Sequence, residues 1–153
     1  MDDSLTQSLA DALLAMEKHC LSKDTLNFPS LGEKLTLEMA SPNLKEEFLL
    51  DINRTSMVVK HATLQNRAQK TVILARLCIN KGHRNPDGVD VPAPHLHLYK
   101  QGFADKYAHA LPAGIFTNTE DIYVTYQEFM KFCNVTVMPK MTWQTDLIKE
   151  GGL

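Results

Sequence analysis

Residues 71–80 read TVILARLCIN, and this stretch is the strongest indication of the fold. Side chains of a β-strand alternate between its two faces. Alternation assigns one face to Ile73, Ala75, Leu77 and Ile79 and the other to Val72, Leu74, Arg76 and Cys78. Because both faces are almost entirely apolar, we expect this strand to lie in the interior of a sheet.

The residues before this strand predict two hairpins. KLTLEMA (34–40) alternates apolar and polar residues, as a half-buried strand does, and the turn-forming SPNLK separates it from FLLDINRTS (48–56). MVVKHATLQNRAQ (57–69) is predicted to pair with TVILARLCIN as a second hairpin.

Two amphipathic helices are predicted to flank the strands. The first runs from about Ser4 to Cys20, so that His19 lies near its C-terminus. The second begins within FTNTEDIY (116–123), where Thr117 and Glu120 resemble a capping box. Its apolar stripe consists of Ile122, Tyr126, Phe129, Met130 and Cys133. We therefore expect a single domain over residues 1–153, of class α+β: a mainly antiparallel sheet of five or six strands with an N-terminal and a C-terminal helix packed on it.

Composition narrows the class of protein. With 153 residues, 44% hydrophobic and 22% charged, the chain has globular values and enough length for one core. Three cysteines without a C-x-x-C pair exclude a disulfide framework and a zinc ribbon, and favour free, buried thiols. No apolar run approaches the roughly 20 residues of a membrane span. The acidic N-terminus does not resemble a secretory signal, so a cytoplasmic location without membrane association is expected.

Charge is distributed unevenly along the chain. Residues 1–53 carry four Lys/Arg against ten Asp/Glu, whereas residues 54–106 carry nine against three. Four of the six histidines, His61, His83, His95 and His97, lie in this basic third. A local positive field attracts phosphates. The alternative is that these side chains pair with the acidic first third of the chain.

The densest polar cluster lies within residues 82–109, which include HRNPDG (83–88) and PHLHLY (94–99). Because strand side chains alternate, His95 and His97 must project from one face, while Leu96 and Leu98 point inward. The NPDG turn is expected to hold His83 over the sheet. The three imidazoles would then meet in a solvent-filled, cationic hollow.

Three interpretations of this cluster remain open. In the first it is a metal-independent ribonuclease site in which His83, His95 and His97 transfer protons in an order that cannot be assigned. Its substrate-binding residues would be Arg76, Arg84, Lys106 and Tyr99. In the second, His95 and His97 begin a metal site that His83 completes, together with Asp87 or Asp105. In the third, the cluster is structural or forms an interaction surface.

Three segments, HRNPDG, PHLHLY and GFADKY (102–107), resemble the shared signature of a poorly characterised group of small bacterial proteins. The resemblance spans about Ile79 to Val135 and includes the helix segment DIYVTYQEFMKFCNV. It implies an origin near mobile elements, phage regions, and toxin–antitoxin or defence loci. It assigns no activity to any residue of this chain.

These observations lead to one expected function and one alternative. The expected function is a small toxin-type endoribonuclease that uses histidine acid/base catalysis on RNA without a metal or other cofactor. Its partners would be RNA, a cognate antitoxin and further copies of the chain, since the apolar tail with Trp143 favours self-association. The alternative is a non-catalytic phage or mobile-element protein of the anti-defence type, which binds and inhibits or regulates a nucleic-acid enzyme.

Overall fold

A computed structural model describes residues 5–54 and 62–142, and the structural statements below concern these residues. The elements in chain order are α1 (Gln7–Ala15), β1 (Lys18–Cys20), β2 (Leu26–Asn27), β3 (Lys34–Ala40), β4 (Glu47–Asn53), β5 (Thr63–Ala68), β6 (Val72–Cys78), β7 (His83–Arg84), β8 (Asp90–Val91), β9 (His95–Leu98), β10 (Ala108–Ala110), α2 (Ile122–Phe132), β11 (Val135–Val137) and β12 (Met141–Thr142). The predicted helix start at Ser4, the strand residues 57–61 and Trp143 lie outside this description.

The α+β class is confirmed, but the sheet is larger than expected. It has eight strands in the order β10-β9-β6-β5-β4-β3-β1-β11, rather than five or six. Neighbouring strands are antiparallel, except for the parallel pair β1 and β11. The additional strands β1, β10 and β11 have three residues each, too few for an alternating pattern to be recognised in the sequence.

Both predicted hairpins are present, as β3–β4 and β5–β6, and β6 lies in the interior of the sheet. A row of directly paired aliphatic residues crosses five strands on the face that forms the core: Leu35, Ile52, Leu64, Leu77 and Leu96. All but Leu35 are fully buried. Burying each such side chain contributes about 1.5–3 kcal/mol. This row therefore fixes the register of the sheet that carries the site.

The first helix is shorter than predicted at both ends, because α1 begins at Gln7 after the N-cap Thr6 and ends at Ala15, and residues 18–20 form β1. His19 therefore lies in a strand rather than at a helix C-terminus, and its Nε2 lies 2.9 Å from a carboxylate oxygen of Glu17. Alternation over three residues is too weak a signal to compete with the helical spacing that precedes it.

A buried ammonium group joins the ends of the two helices. Lys18 Nζ donates to the carbonyls of Leu14 and Met16 at the end of α1, at 2.8 and 2.9 Å. It also donates to the carbonyl of Cys133 at the end of α2, at 2.7 Å, and lies 4.7 Å from the centre of the Phe48 ring. Unpaired helix-terminal carbonyls attract a cation, so one lysine caps both helices.

The second helix starts at Ile122 with Asp121 as its N-cap, whose carboxylate accepts from the backbone N–H groups of Tyr123 and Val124. The predicted capping box is therefore wrong, and Thr117 instead hydrogen-bonds Glu128. Aspartate caps as well as threonine does, and the two candidates lie only four residues apart. The predicted apolar stripe is buried at Tyr126, Phe129, Met130 and Cys133.

Opposite the core, the sheet presents a polar face. One row across it consists of the directly paired residues Thr36, Asp51, Gln65, Arg76 and His97. At the β6–β9 end this face is covered by the β7–β8 hairpin and by the segment that follows β9. The candidate site lies beneath that cover.

Candidate functional site

Three histidine rings meet at the covered end of the polar face. The ring centres of His83 and His97 are 4.6 Å apart, those of His95 and His97 are 4.9 Å apart, and those of His83 and His95 are 6.0 Å apart. The structure thus brings together all three histidines that the sequence singled out.

Strand pairing places two further side chains beside the rings. Cys78 of β6 pairs directly with His95 of β9, and Arg76 pairs directly with His97. Directly paired residues share a face of the sheet, so the thiol and the guanidinium lie next to the imidazoles.

The β7–β8 hairpin holds His83 over the sheet, as the NPDG turn predicted. Buried Asn85 fixes the hairpin to β10, because its amide Nδ2 donates to the carbonyl of Ala108 and its Oδ1 accepts from the N–H of Ala108, at 3.0 and 2.8 Å. Gly88 takes the left-handed conformation that the turn requires, with φ of +88°. Exposed Asp87 accepts from the N–H of Val89 within the turn.

The cover excludes solvent from the inner pair of histidines. His95 and His97 are each only 1% exposed, so the expected solvent-filled hollow is not what surrounds them. Only His83 among the three is partly exposed. Alternation predicted their shared face correctly, but a loop that folds back over that face leaves no periodic signal.

The hydrogen bonds of the inner pair determine which nitrogens carry protons. Nδ1 of His95 lies 3.3 Å from the carbonyl of Pro92, and Nδ1 of His97 lies 2.8 Å from the carbonyl of Asp105. A carbonyl only accepts, so both Nδ1 atoms donate. The two Nε2 atoms then face each other at 3.1 Å.

Burial also disfavours the charged form of both rings. It lowers the pKa of His97 to about 4, with Arg76 contributing in the same direction, and it lowers the pKa of His95 as well. In a neutral ring whose Nδ1 carries the proton, Nε2 is a bare acceptor. Two acceptors at hydrogen-bonding distance repel each other unless a positive charge lies between them.

Cys78 adds a third donor atom of a different kind. The ligand atoms of Cys78, His95 and His97 all lie within 4.8 Å of one another. Arg76 Nη1 lies 3.4 Å from the sulfur, although burial raises the pKa of the Cys78 thiol more than the guanidinium lowers it. Two imidazoles and a thiolate are the ligand types that zinc prefers.

The predicted phosphate-binding arginines are both paired with acids. Arg76 Nη2 lies 3.0 Å from Asp105 Oδ2, and Arg84 Nε lies 2.8 Å from Asp90 Oδ1. Asp105 and Asp90 both lie within the basic third, residues 54–106. Arg67, by contrast, pairs with Asp51 of the acidic first third. Part of the local positive charge is therefore neutralised where it arises.

The remaining predicted residues differ in their surroundings. Lys106 is exposed, and its carbonyl lies 2.8 Å from His83 Nε2. Tyr99 is buried at the opposite end of β9 from His95, where its hydroxyl donates to the carbonyl of Leu5.

A hollow of about 400 Å³ beside the cluster is lined by Gly82, His83, Arg84, Asp90, Val91 and Pro92.

Residues 5–135 match the model of a protein family of unknown function, DUF6978. The chain belongs to this family. The match includes the first third of the chain, which the motif resemblance over Ile79–Val135 left out. No curated protein and no solved structure matches the chain. Within residues 5–54 and 62–142 of this DUF6978 protein, no helix has the length and apolarity to span a membrane.

Sequence reasoning did not find Cys78 as part of the site. In this DUF6978 chain the thiol is one of three free, buried cysteines, and nothing local distinguishes it from Cys20 and Cys133. The available signal was alternation, which places Cys78 on the same face as Arg76. It holds from Ala75 to Cys78, whereas a bulge interrupts it before Ala75. Using that signal required knowing that β6 pairs with β9, which is a tertiary fact.

Proposed function

We propose that this protein cleaves RNA phosphodiester bonds, with His83 as the proton-transferring group that contacts the substrate. The observation that carries the proposal is the meeting of His83 with the His95–His97 pair at the edge of an accessible hollow that also bears Arg84. The proposed hydrolase is of the small toxin type, with a cognate antitoxin as a proposed partner.

RNA cleavage requires a base for the attacking 2′-hydroxyl, an acid for the leaving oxygen, and positive charge near the phosphate. An imidazole can exchange protons near neutral pH. In neutral His83, the bond from Nε2 to the carbonyl of Lys106 leaves Nδ1 as the acceptor nitrogen. That nitrogen is the proposed base, and the proton that it takes from the 2′-hydroxyl is then given to the leaving 5′-oxygen, so that His83 acts first as base and then as acid.

The inner histidines have a different role in this proposal. Since His95 and His97 are buried, they do not contact the substrate. Because their facing Nε2 atoms would otherwise repel each other, the proposal places one cation between them, beside the His83 ring, instead of the ring proton that burial disfavours. Such a charge, fixed in a site with little water, stabilises the negative charge that develops on phosphorus.

Exposed cations at the rim are proposed to hold the phosphate backbone. Arg84 and Asp90 form a surface ion pair, with side chains 70% and 69% exposed. Such pairs contribute little free energy, so a phosphate can replace Asp90 at small cost. The backbone carbonyl of Lys106 bonds Nε2 of His83, and the exposed side chain of Lys106 is the proposed second cation.

The test uses purified protein and mixed RNA. Wild type should cleave, and His83→Gln should reduce the rate by about 10²–10⁴-fold, the usual contribution of a proton-transferring group. His109→Gln is the matched control, because His109 is exposed and lies on β10, paired with Leu96 on the other face of the sheet. It should cleave like wild type.

Intact RNA after incubation with folded wild type would reject the proposal. The non-catalytic alternative, a protein that occupies the surface of a nucleic-acid enzyme, would then replace it. Equal loss of cleavage in both variants would place the chemistry outside this cluster.

A further inference from the structure

We propose that Cys78, His95 and His97 bind one Zn²⁺ ion through Sγ and the two Nε2 atoms. The inference concerns the charge held behind His83, and it does not require RNA to be the substrate. It differs from the metal site considered from the sequence, which His83 completes together with Asp87 or Asp105. Asp87 accepts from the N–H of Val89 within the exposed turn, and Asp105 pairs with Arg76.

The first support is the arrangement of lone pairs. Both rings donate from Nδ1 to backbone carbonyls, so each Nε2 presents its lone pair to the other at 3.1 Å. A metal ion between them converts this repulsion into two coordinate bonds. Donation from the second ring nitrogen to a carbonyl is also the usual outer contact of a metal-bound histidine.

The second support is distance. Zn–N bonds of about 2.0–2.1 Å in a tetrahedral site place two nitrogen ligands about 3.3 Å apart, close to the 3.1 Å between Nε2 of His95 and Nε2 of His97. With a Zn–S bond of about 2.3 Å, sulfur and nitrogen should lie about 3.6 Å apart. The present separations are at most 4.8 Å, so a shift of the Cys78 side chain by about 1 Å completes the set.

The third support is the charge balance around the sulfur. When zinc binds, the Cys78 thiol loses its proton to solvent and coordinates as a thiolate. Arg76 already points Nη1 at this sulfur and is held in place by Asp105. The guanidinium and the Asp105 carboxylate neutralise each other, so the ion and the thiolate add one net positive charge to the site.

Three protein ligands leave a fourth position, which one water molecule enclosed under the cover can fill. His83 is not one of the three, because the set of mutually close ligand atoms contains those of Cys78, His95 and His97 but none from His83. This separation of roles makes the inference testable apart from RNA cleavage.

The rival explanation is a shared proton, with one of the two rings protonated at Nε2. Co²⁺ substitution distinguishes the two. We expect metal-free protein to take up one equivalent of Co²⁺ with a thiolate-to-metal charge-transfer band, and one equivalent of Zn²⁺ to displace it. A spectrum without that band, or no uptake by folded protein, would overturn the inference.

Variants assign the ligands. Cys78→Ser and His97→Gln should each weaken zinc binding by more than the about 10–100-fold that loss of an outer partner costs. Cys20→Ser is the matched control for a buried free thiol and should bind like wild type. His83→Gln should retain zinc. Zinc retained at full affinity by Cys78→Ser and His97→Gln would refute the site.

Because a variant can fail to fold, ¹⁵N NMR of wild-type histidines serves as a second measurement. Nε2 of His95 and His97 should shift to the metal-bound range on zinc addition. Unchanged Nε2 resonances at saturating zinc would also overturn the inference. Loss of RNA cleavage with zinc retained in His83→Gln would support both proposals, whereas zinc binding by a protein that leaves RNA intact would reject only the cleavage.

Discussion

Replacing Asn85 with alanine tests whether the β7–β8 hairpin is what keeps the histidine pair from solvent. The Asn85 amide makes two hydrogen bonds to the buried backbone of Ala108, at 3.0 and 2.8 Å. Asn85→Ala leaves one N–H and one carbonyl without these partners. An unsatisfied buried group costs about 1–3 kcal/mol. Because β10 is an edge strand, we take about 1–2 kcal/mol for each of the two groups, so the closed hairpin should lose about 2–4 kcal/mol.

A loss of that size should raise the open fraction of the hairpin by about 30- to 1,000-fold, since about 1.4 kcal/mol corresponds to a factor of ten. Two measurements report the opening. Amide hydrogen exchange at Ala108 should accelerate, and diethyl pyrocarbonate should modify His95 and His97 faster, with a chelator present so that metal does not protect the rings.

One control variant and one second variant of Asn85 complete the test. Asp87→Ala removes only the exposed turn contact to Val89 and should change stability by no more than about 0.5 kcal/mol. Asn85→Asp keeps an acceptor for the N–H of Ala108 but loses the donor to its carbonyl, so it should open the hairpin too. If Asn85→Ala stays folded and His95 and His97 react no faster than in wild type, the hairpin is not their cover.

Two further predictions concern stability. Lys18→Met should lower the free energy of unfolding in urea by several kcal/mol, because three backbone carbonyls lose their donor at about 1–3 kcal/mol for each one that stays buried. Burial lowers the pKa of Lys18 from 10.5 to about 8, so between these values the unfolded chain holds a proton that the folded chain has released. Wild-type stability should therefore rise with pH across this window relative to Lys18→Met, and a constant difference would contradict the reasoning. Burial alone would raise the pKa of Asp51, but hydrogen bonds from Arg67, Thr36 and Gln65 lower it overall. Its contribution is fully present above its ordinary value of 3.8 and is lost as pH falls below it; Asp51→Asn should cost about 1–3 kcal/mol at pH 7 and flatten the acid limb in denaturation curves.

The sheet was predictable wherever strands are long enough to alternate. KLTLEMA and TVILARLCIN each fill seven strand positions, and their periodicity gave both hairpins and the interior position of β6. The first helix was placed correctly but too long, because Lys18 satisfies helix-end carbonyls from a strand, an arrangement that no local pattern reveals.

The histidine cluster, too, was predictable in part from the sequence. A period of two along PHLHLY is enough to put His95 and His97 on one face, and the turn chemistry of NPDG is enough to bring His83 back toward them. Both are short-range consequences of backbone geometry. Burial of the pair, the opposition of their Nε2 atoms and the presence of Cys78 depend on how β6 and β9 pair and on a hairpin that packs across the finished sheet. Contacts between segments distant in the chain form through the packing of the whole domain, so only the folded structure decides them.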